Sequence, residues 1–128
     1  MTILTNINLD SPAEKRVGES FNKSNHMKTR KINENKYYNL SGIQVVIKKA
    51  KYANNGTLAL LLFDDVDEYY ADITVNLGDS LQSDRTAYLD ENNLPGIGKW
   101  LERKGLAQPM NHERLSGFFS YPLYRINV

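Results

Sequence analysis

From residue 40 onward the chain alternates with a period of two. Ile43, Val45 and Ile47 are apolar while Gln44 and Lys48 are polar, the spacing of a strand with one buried face. Asn54-Asn55-Gly56 follows, a hairpin signal, because Asn and Gly tolerate the positive φ of a type I′ turn. Thr57–Phe63 is apolar on both faces, which predicts a strand in the middle of a sheet or under a helix. Asp64–Glu68 is an acidic turn. Tyr69–Leu77 alternates again, with Tyr69, Ala71, Ile73, Val75 and Leu77 on one side. Gly78–Asp84 reads as a loop and Arg85–Leu89 as a short fourth strand, completing a meander.

One helix is predicted over Pro95–Lys104. Asn92 or Asn93 can cap its first turn, Pro95 suits that turn because its missing N–H needs no partner there, and Gly105 ends it. Ile97, Trp100, Leu101 and Leu106 fall on one side and Lys99, Glu102 and Arg103 on the other. Ten residues reach about 15 Å, enough to cover two or three strands. Ser116–Val128 is a final aromatic strand, and Pro122, which cannot donate to a ladder, puts that strand at an edge or a bulge. The expected class is α+β: an antiparallel sheet of four to five strands in the order β-β-β-β-α-β, with one helix on a face.

Residues 1–40 lack a sustained apolar period. They are expected to form a basic arm, irregular or partly helical around Pro12–Phe21, ahead of a domain over 41–128. Met27, before Lys28-Thr29-Arg30-Lys31, reads as an alternative start. At 128 residues, with 41% apolar and 24% charged residues, the chain suits one folded domain rather than a disordered chain. No run of about 18 apolar residues is present to form a membrane helix. The first residues, MTILTNINLDSP, lack the basic start and apolar run of a signal peptide, so a cytoplasmic location is expected. Two sequons, at Asn39 and Asn55, mean little without secretion. Zero cysteines exclude disulfides, thiolate metal sites and thiol catalysis.

The net charge of +1 hides an asymmetry. Residues 1–52 carry ten basic and four acidic residues, the remainder six and eleven, which implies electrostatically distinct surfaces. Asp64, Asp65, Asp67, Glu68 and Asp72 form an acidic cluster. It can imitate nucleic-acid phosphates and bind a basic partner, or it can be a solvated turn that discourages edge pairing. It lacks the glycine and distal Glu of an EF-hand loop, so no metal is expected. Lys28, Arg30, Lys31 and Lys36 with Tyr37 and Tyr38 mix cations with aromatics. That suits phosphate pairing and base stacking, or a solubilising tail. Gly96-Ile97-Gly98 lacks the Lys-Ser/Thr of a P-loop, and glycines that let the helix approach the sheet account for it better. His112-Glu113 is not part of a zinc motif, and Ser116, His112 and Asp90 form a trio that any chain of this size contains. No catalytic residue or cofactor is therefore assigned. Phe118 and Phe119 alternate, so one of them can be exposed as a partner surface.

Five segments carry a family resemblance: Tyr52-Ala53-Asn54-Asn55-Gly56, Thr74-Val75-Asn76-Leu77, Asn92-Asn93-Leu94-Pro95, Trp100–Pro109 and Ser116–Tyr124. Over about Leu40 to Ile126 they resemble an uncharacterised domain family of small proteins found on plasmids, conjugative elements and phages of Gram-positive bacteria. The resemblance supplies no catalytic set. It implies roles in transfer, copy control or evasion of host defence, some of them anti-CRISPR or antirestriction. Together with the charge split, the expectation is a non-enzymatic inhibitor of a host defence nuclease. Its acidic cluster would be the partner-binding face and an exposed Tyr or Phe the anchor. The alternative is a nucleic-acid-binding accessory factor acting through Lys28, Arg30, Lys31, Lys36, Tyr37 and Tyr38. The partner would then be a protein or a nucleic acid and not a membrane, with the chain a monomer or a homodimer.

Overall fold

The computed structural model describes residues 29–128. The arm expected to be irregular or partly helical around Pro12–Phe21, the alternative start expected at Met27 and the basic candidate Lys28 lie outside the described residues. The class is α+β, and the strands of the described residues divide between two antiparallel sheets of four. The first sheet runs β1 (Tyr38–Leu40), β2 (Ile43–Lys51), β3 (Leu58–Asp64), β4 (Tyr69–Asp72). The second has the order β5 (Thr74–Val75), β6 (Thr86–Leu89), β8 (Phe119–Ile126), β7 (Ala107–Ser116). Among the described residues one helix, α1 (Ile97–Arg103), links the two halves of the second sheet.

The expected strand over Tyr69–Leu77 is two strands, one in each sheet. The alternation is continuous, but the backbone turns a corner at Ile73. Its N–H donates to Leu60 O at 2.9 Å in the first sheet, and its carbonyl accepts from Asp90 N at 2.8 Å beside the second. With Ile73 fully buried at that corner, both backbone groups are paired, as burial demands. Thr57–Phe63 is central as predicted, paired along its length with β2 and in part with β4.

Two turns differ from expectation. Asn54-Asn55-Gly56 does join β2 to β3, but only Gly56 has positive φ. The connection is a wider loop closed by Gly56 N to Tyr52 O and Tyr52 N to Thr57 O. The two-residue turn with both φ positive is Ser41-Gly42, between β1 and β2, as a type I′ turn requires.

The helix is shorter than Pro95–Lys104. Gly96 takes a left-handed conformation (φ 88°), so Pro95 lies in a turn ahead of the helix. Asp90 shapes that turn by accepting from Asn93 N and Asn93 Nδ2. At the other end Gly105 N bonds Glu102 O and Leu106 N bonds Leu101 O, the paired bonds of a Schellman stop. Leu101 and Leu106, both buried, join Ile97 and Trp100 in a core with Ile47, Leu60, Leu62, Leu89 and Ile126. Each such side chain contributes about 1.5–3 kcal/mol on burial.

The division at residue 40 is not a break in packing. Arg30 N donates to Gly105 O, Ile32 N to Asn127 O, and Ile32 and Tyr38 sit in the same core as Trp100. Residues 107–116 form a strand where a loop would follow from the polar run Pro109–Arg114. That run pairs with β8 at an exposed edge, and an edge strand lacks the two-sided apolar signal.

Candidate partner-binding surfaces

The acidic residues lie on the β3–β4 hairpin, Asp64 to Glu68 at its turn and Asp72 at the end of β4, and they are not equivalent. Asp64 folds the turn itself, its Oδ1 accepting from Val66 N at 3.0 Å and Glu68 N at 2.9 Å. Asp67, with positive φ, pairs with Lys48 Nζ at 2.6 Å, and the same ammonium lies 4.4 Å from the Phe63 ring centroid. Asp65, Glu68 and Asp72 are exposed and are absent from the ion pairs among the described residues. Exposed Val66, Tyr69 and Tyr70 interleave with them. The hairpin therefore presents Asp65 and Glu68 in its turn and Asp72 at the end of β4, beside the Tyr69 side chain that hydrogen-bonds it.

The basic candidates divide differently. Arg30, Lys31, Lys36 and Tyr37 are exposed. Tyr38 is buried edge-on against Trp100, with ring centroids 5.9 Å apart, so it cannot offer a face for base stacking. Tyr37 instead lines a shallow groove with Glu34, Asn35, Val46, Lys48, Asp64 and Asp67. The basic and acidic segments thus meet along one groove.

A second exposed feature is the β7–β8 hairpin. Its turn is Gly117-Phe118, with Gly117 at φ 64° in the first central position, the place a type II′ turn gives to glycine. Phe118 is fully exposed at the tip and Leu115 is 69% exposed. Phe119 and Tyr121, on one face of the ribbon, are half-buried and contact each other at 5.1 Å between centroids. Of the two adjacent phenylalanines, Phe118 is therefore the free one. The base of the ribbon is pinned by Arg114 Nη1 donating to Asp79 Oδ2. The Leu81 backbone N–H, with Arg114, holds the Asp79 carboxyl below its usual range.

The remaining candidates have structural partners. The N–H groups at Gly96 and Gly98 donate to the Glu91 carboxylate at 2.8 and 2.7 Å, so this helix start is already occupied by an anion of the chain. Asp90 is engaged by Asn93, and His112 is exposed on β7, 6.3 Å from the Tyr88 ring. No group of three His, Asp or Glu side chains suited to a metal occurs among the described residues. No described helix is long and apolar enough to cross a membrane.

Several residues of the segments that carry the family resemblance have a joint role that their spacing did not reveal. Asn76 accepts from Asn55 Nδ2 and Gln82 Nε2 and donates to Asn54 Oδ1, each at 3.0 Å. Tyr52 and Thr74 share a hydroxyl bond of 2.7 Å. These bonds clip the β2–β3 loop of one sheet to the chain following β5 of the other.

The molecule is thus defined as a small two-sheet α+β domain whose most exposed apolar and acidic groups lie on hairpins. Residues 46–128 match the family model described as a domain of unknown function, DUF4313, and the chain belongs to that family. No curated protein and no solved structure matches it.

Proposed function

We propose that this is a non-enzymatic binding protein of a mobile element that inhibits a host defence nuclease by occupying its nucleic-acid channel. The observation that carries this reading is the β3–β4 hairpin, where Asp65 and Glu68 in the turn and Asp72 at the end of β4 are exposed and outside the ion pairs among the described residues, alongside Val66, Tyr69 and Tyr70. Carboxylates at this density attract the Lys and Arg side chains that line such channels, while the tyrosines supply amphipathic anchors that tolerate both water and burial. An RNA-guided nuclease is the first target to test, because its channel holds a heteroduplex against a positively charged wall. Such a target places the protein in the cytoplasm. Phe118, fully exposed at the tip of its own hairpin, is a second anchor.

The test is a cleavage assay and a pull-down with purified nuclease, using Asp65→Asn/Glu68→Gln/Asp72→Asn. Those three residues are chosen because Asp64 and Asp67 hold the turn together. Steering by charge raises association rates by about 10–10³-fold, so the triple variant should associate at least tenfold more slowly at low salt. Undiminished inhibition by that variant removes the acidic face from the mechanism.

A further inference from the structure

The C-terminal end of α1 meets the segment before β1, and the meeting gathers cations from two separate stretches of sequence. Arg30 is fixed there by its backbone bond to Gly105 O at 2.9 Å. The Lys36 ammonium lies 5.4 Å from the Tyr38 ring centroid, and the Lys104 ammonium 5.7 Å from that of Trp100. Those two rings are in edge contact, so the two lysines are held beside one aromatic pair. Arg103, exposed, precedes Lys104 at the end of the helix.

We infer that Arg30, Lys36, Arg103 and Lys104 form a binding site for the phosphodiester backbone of a single-stranded nucleic acid. Three observations support it. None of the four is in an ion pair among the described residues. Burial pushes the Lys104 ammonium below its usual range, and the charges of Arg103 and Lys36 add to that, so both cations lie close enough to act on it. The carbonyl end of a helix favours cations within its last turn, which accounts for Arg103 and Lys104. It does not account for Arg30 and Lys36, which another segment delivers. The single-strand preference follows from Tyr37, exposed next to Lys36 and free to stack on an unpaired base. The four cations are separate from the acidic turn, while Tyr37 also borders the groove that Asp64 and Asp67 line.

The experiment is fluorescence polarisation of the full chain with a labelled single-stranded 20-mer and with the matching duplex, over a salt series. Four phosphate contacts predict a log K versus log salt slope of about −3 for a single strand. Arg30→Gln/Lys36→Gln/Arg103→Gln/Lys104→Gln should bring the slope close to zero. Lys99→Gln should bind like the parent, because Lys99 already pairs with Glu102. The Asp65→Asn/Glu68→Gln/Asp72→Asn variant should also bind the oligonucleotide as the parent does, separating this site from the acidic face. Should the quadruple variant fail to fold, Lys36→Gln and Arg103→Gln alone should each reduce the slope by about one. Absence of binding at 50 mM salt, an unchanged slope in these variants, or equal affinity for the duplex overturns the assignment.

Discussion

Gly98 sits against Tyr124 so closely that a Cβ on the glycine would lie 2.5 Å from the tyrosine hydroxyl oxygen and 2.7 Å from Cζ. The same hydroxyl donates to Glu102 Oε2, and Glu91 Oε2 accepts from Gly98 N. One turn of α1 is therefore seated on the ring of a β8 residue and held on both sides by carboxylates. A glycine inside a helix ordinarily costs about 1 kcal/mol relative to alanine, so its presence here answers a packing requirement.

Gly98→Ala should accordingly destabilise the fold by roughly 1–3 kcal/mol, the range for overpacking, despite alanine's better helix propensity. Tyr124→Phe should relieve part of that cost in the double variant, giving a coupling energy above about 0.5 kcal/mol. Urea midpoints of the four proteins of the cycle measure it. A stabilised Gly98→Ala protein would show that the helix does not rest on Tyr124.

Much of this architecture was legible in the sequence, for reasons that differ by element. Ile43–Ile47 and Thr57–Phe63 announced themselves because burial on one face or two leaves a periodic trace. The corner at Ile73 left none: the alternation runs straight through it, and only hydrogen bonds to two different sheets reveal the turn. The left-handed Gly96 was equally hidden, since glycine between Pro95 and Ile97 is compatible with both a first helical turn and its absence. β7 was missed because an exposed edge strand such as Asn111–Ser116 has no core-facing pattern to read. At the candidate site, exposure of one of Phe118 and Phe119 followed from alternation. The loss of Tyr38 to the core did not, because nothing local says that Trp100 waits across the chain.

The clip centred on Asn76 should carry measurable stability. Asn76→Ala removes one hydrogen bond each from Asn54, Asn55, Gly78 and Gln82, leaving Gln82 Nε2 with Thr57 Oγ1 alone, and Gln82 is only 6% exposed. An unsatisfied polar group at such a position costs about 1–3 kcal/mol. Faster amide exchange in residues 52–57 and 76–83 should accompany the loss. An effect no larger than that of Asn35→Ala, at an exposed position, would mean that the two sheets do not depend on the clip.

Alkaline pH should weaken the fold. Tyr88 is fully buried, and its hydroxyl lacks a hydrogen-bond partner of good geometry. Burial, with Asp79 nearby, pushes its pKa up to about 12, and burial and Glu102 raise that of Tyr124 also. A raised folded pKa favours the neutral ring, so this contribution is complete below about pH 10, where the unfolded tyrosine titrates. It is lost progressively as pH rises toward 12, because the unfolded chain then binds fewer protons than the native one. Urea midpoints should fall across that window, and less so in Tyr88→Phe. Near neutral pH the same variant should be as stable as the parent or more so, since it removes a buried hydroxyl without a partner. A cost above about 2 kcal/mol at pH 7 would instead mean that the hydroxyl is satisfied.

Phe118 separates a role in folding from a role in binding. A fully exposed ring at the tip of a hairpin makes little contact to lose, and surface substitutions of this kind change stability by about 0.5 kcal/mol or less. Phe118→Ser should therefore melt within a degree or two of the parent. If the tip anchors a partner, the same change removes an aromatic side chain of the type that dominates interface energetics, where truncation costs about 2 kcal/mol or more. That is at least a tenfold loss of affinity for the nuclease identified in the cleavage assay, visible mainly as faster dissociation. The acidic triple variant should show the opposite kinetic signature, slower association that worsens at low salt relative to the parent. Equal dissociation rates for Phe118→Ser and the parent would take the hairpin tip out of the interface and leave the β3–β4 turn to act alone.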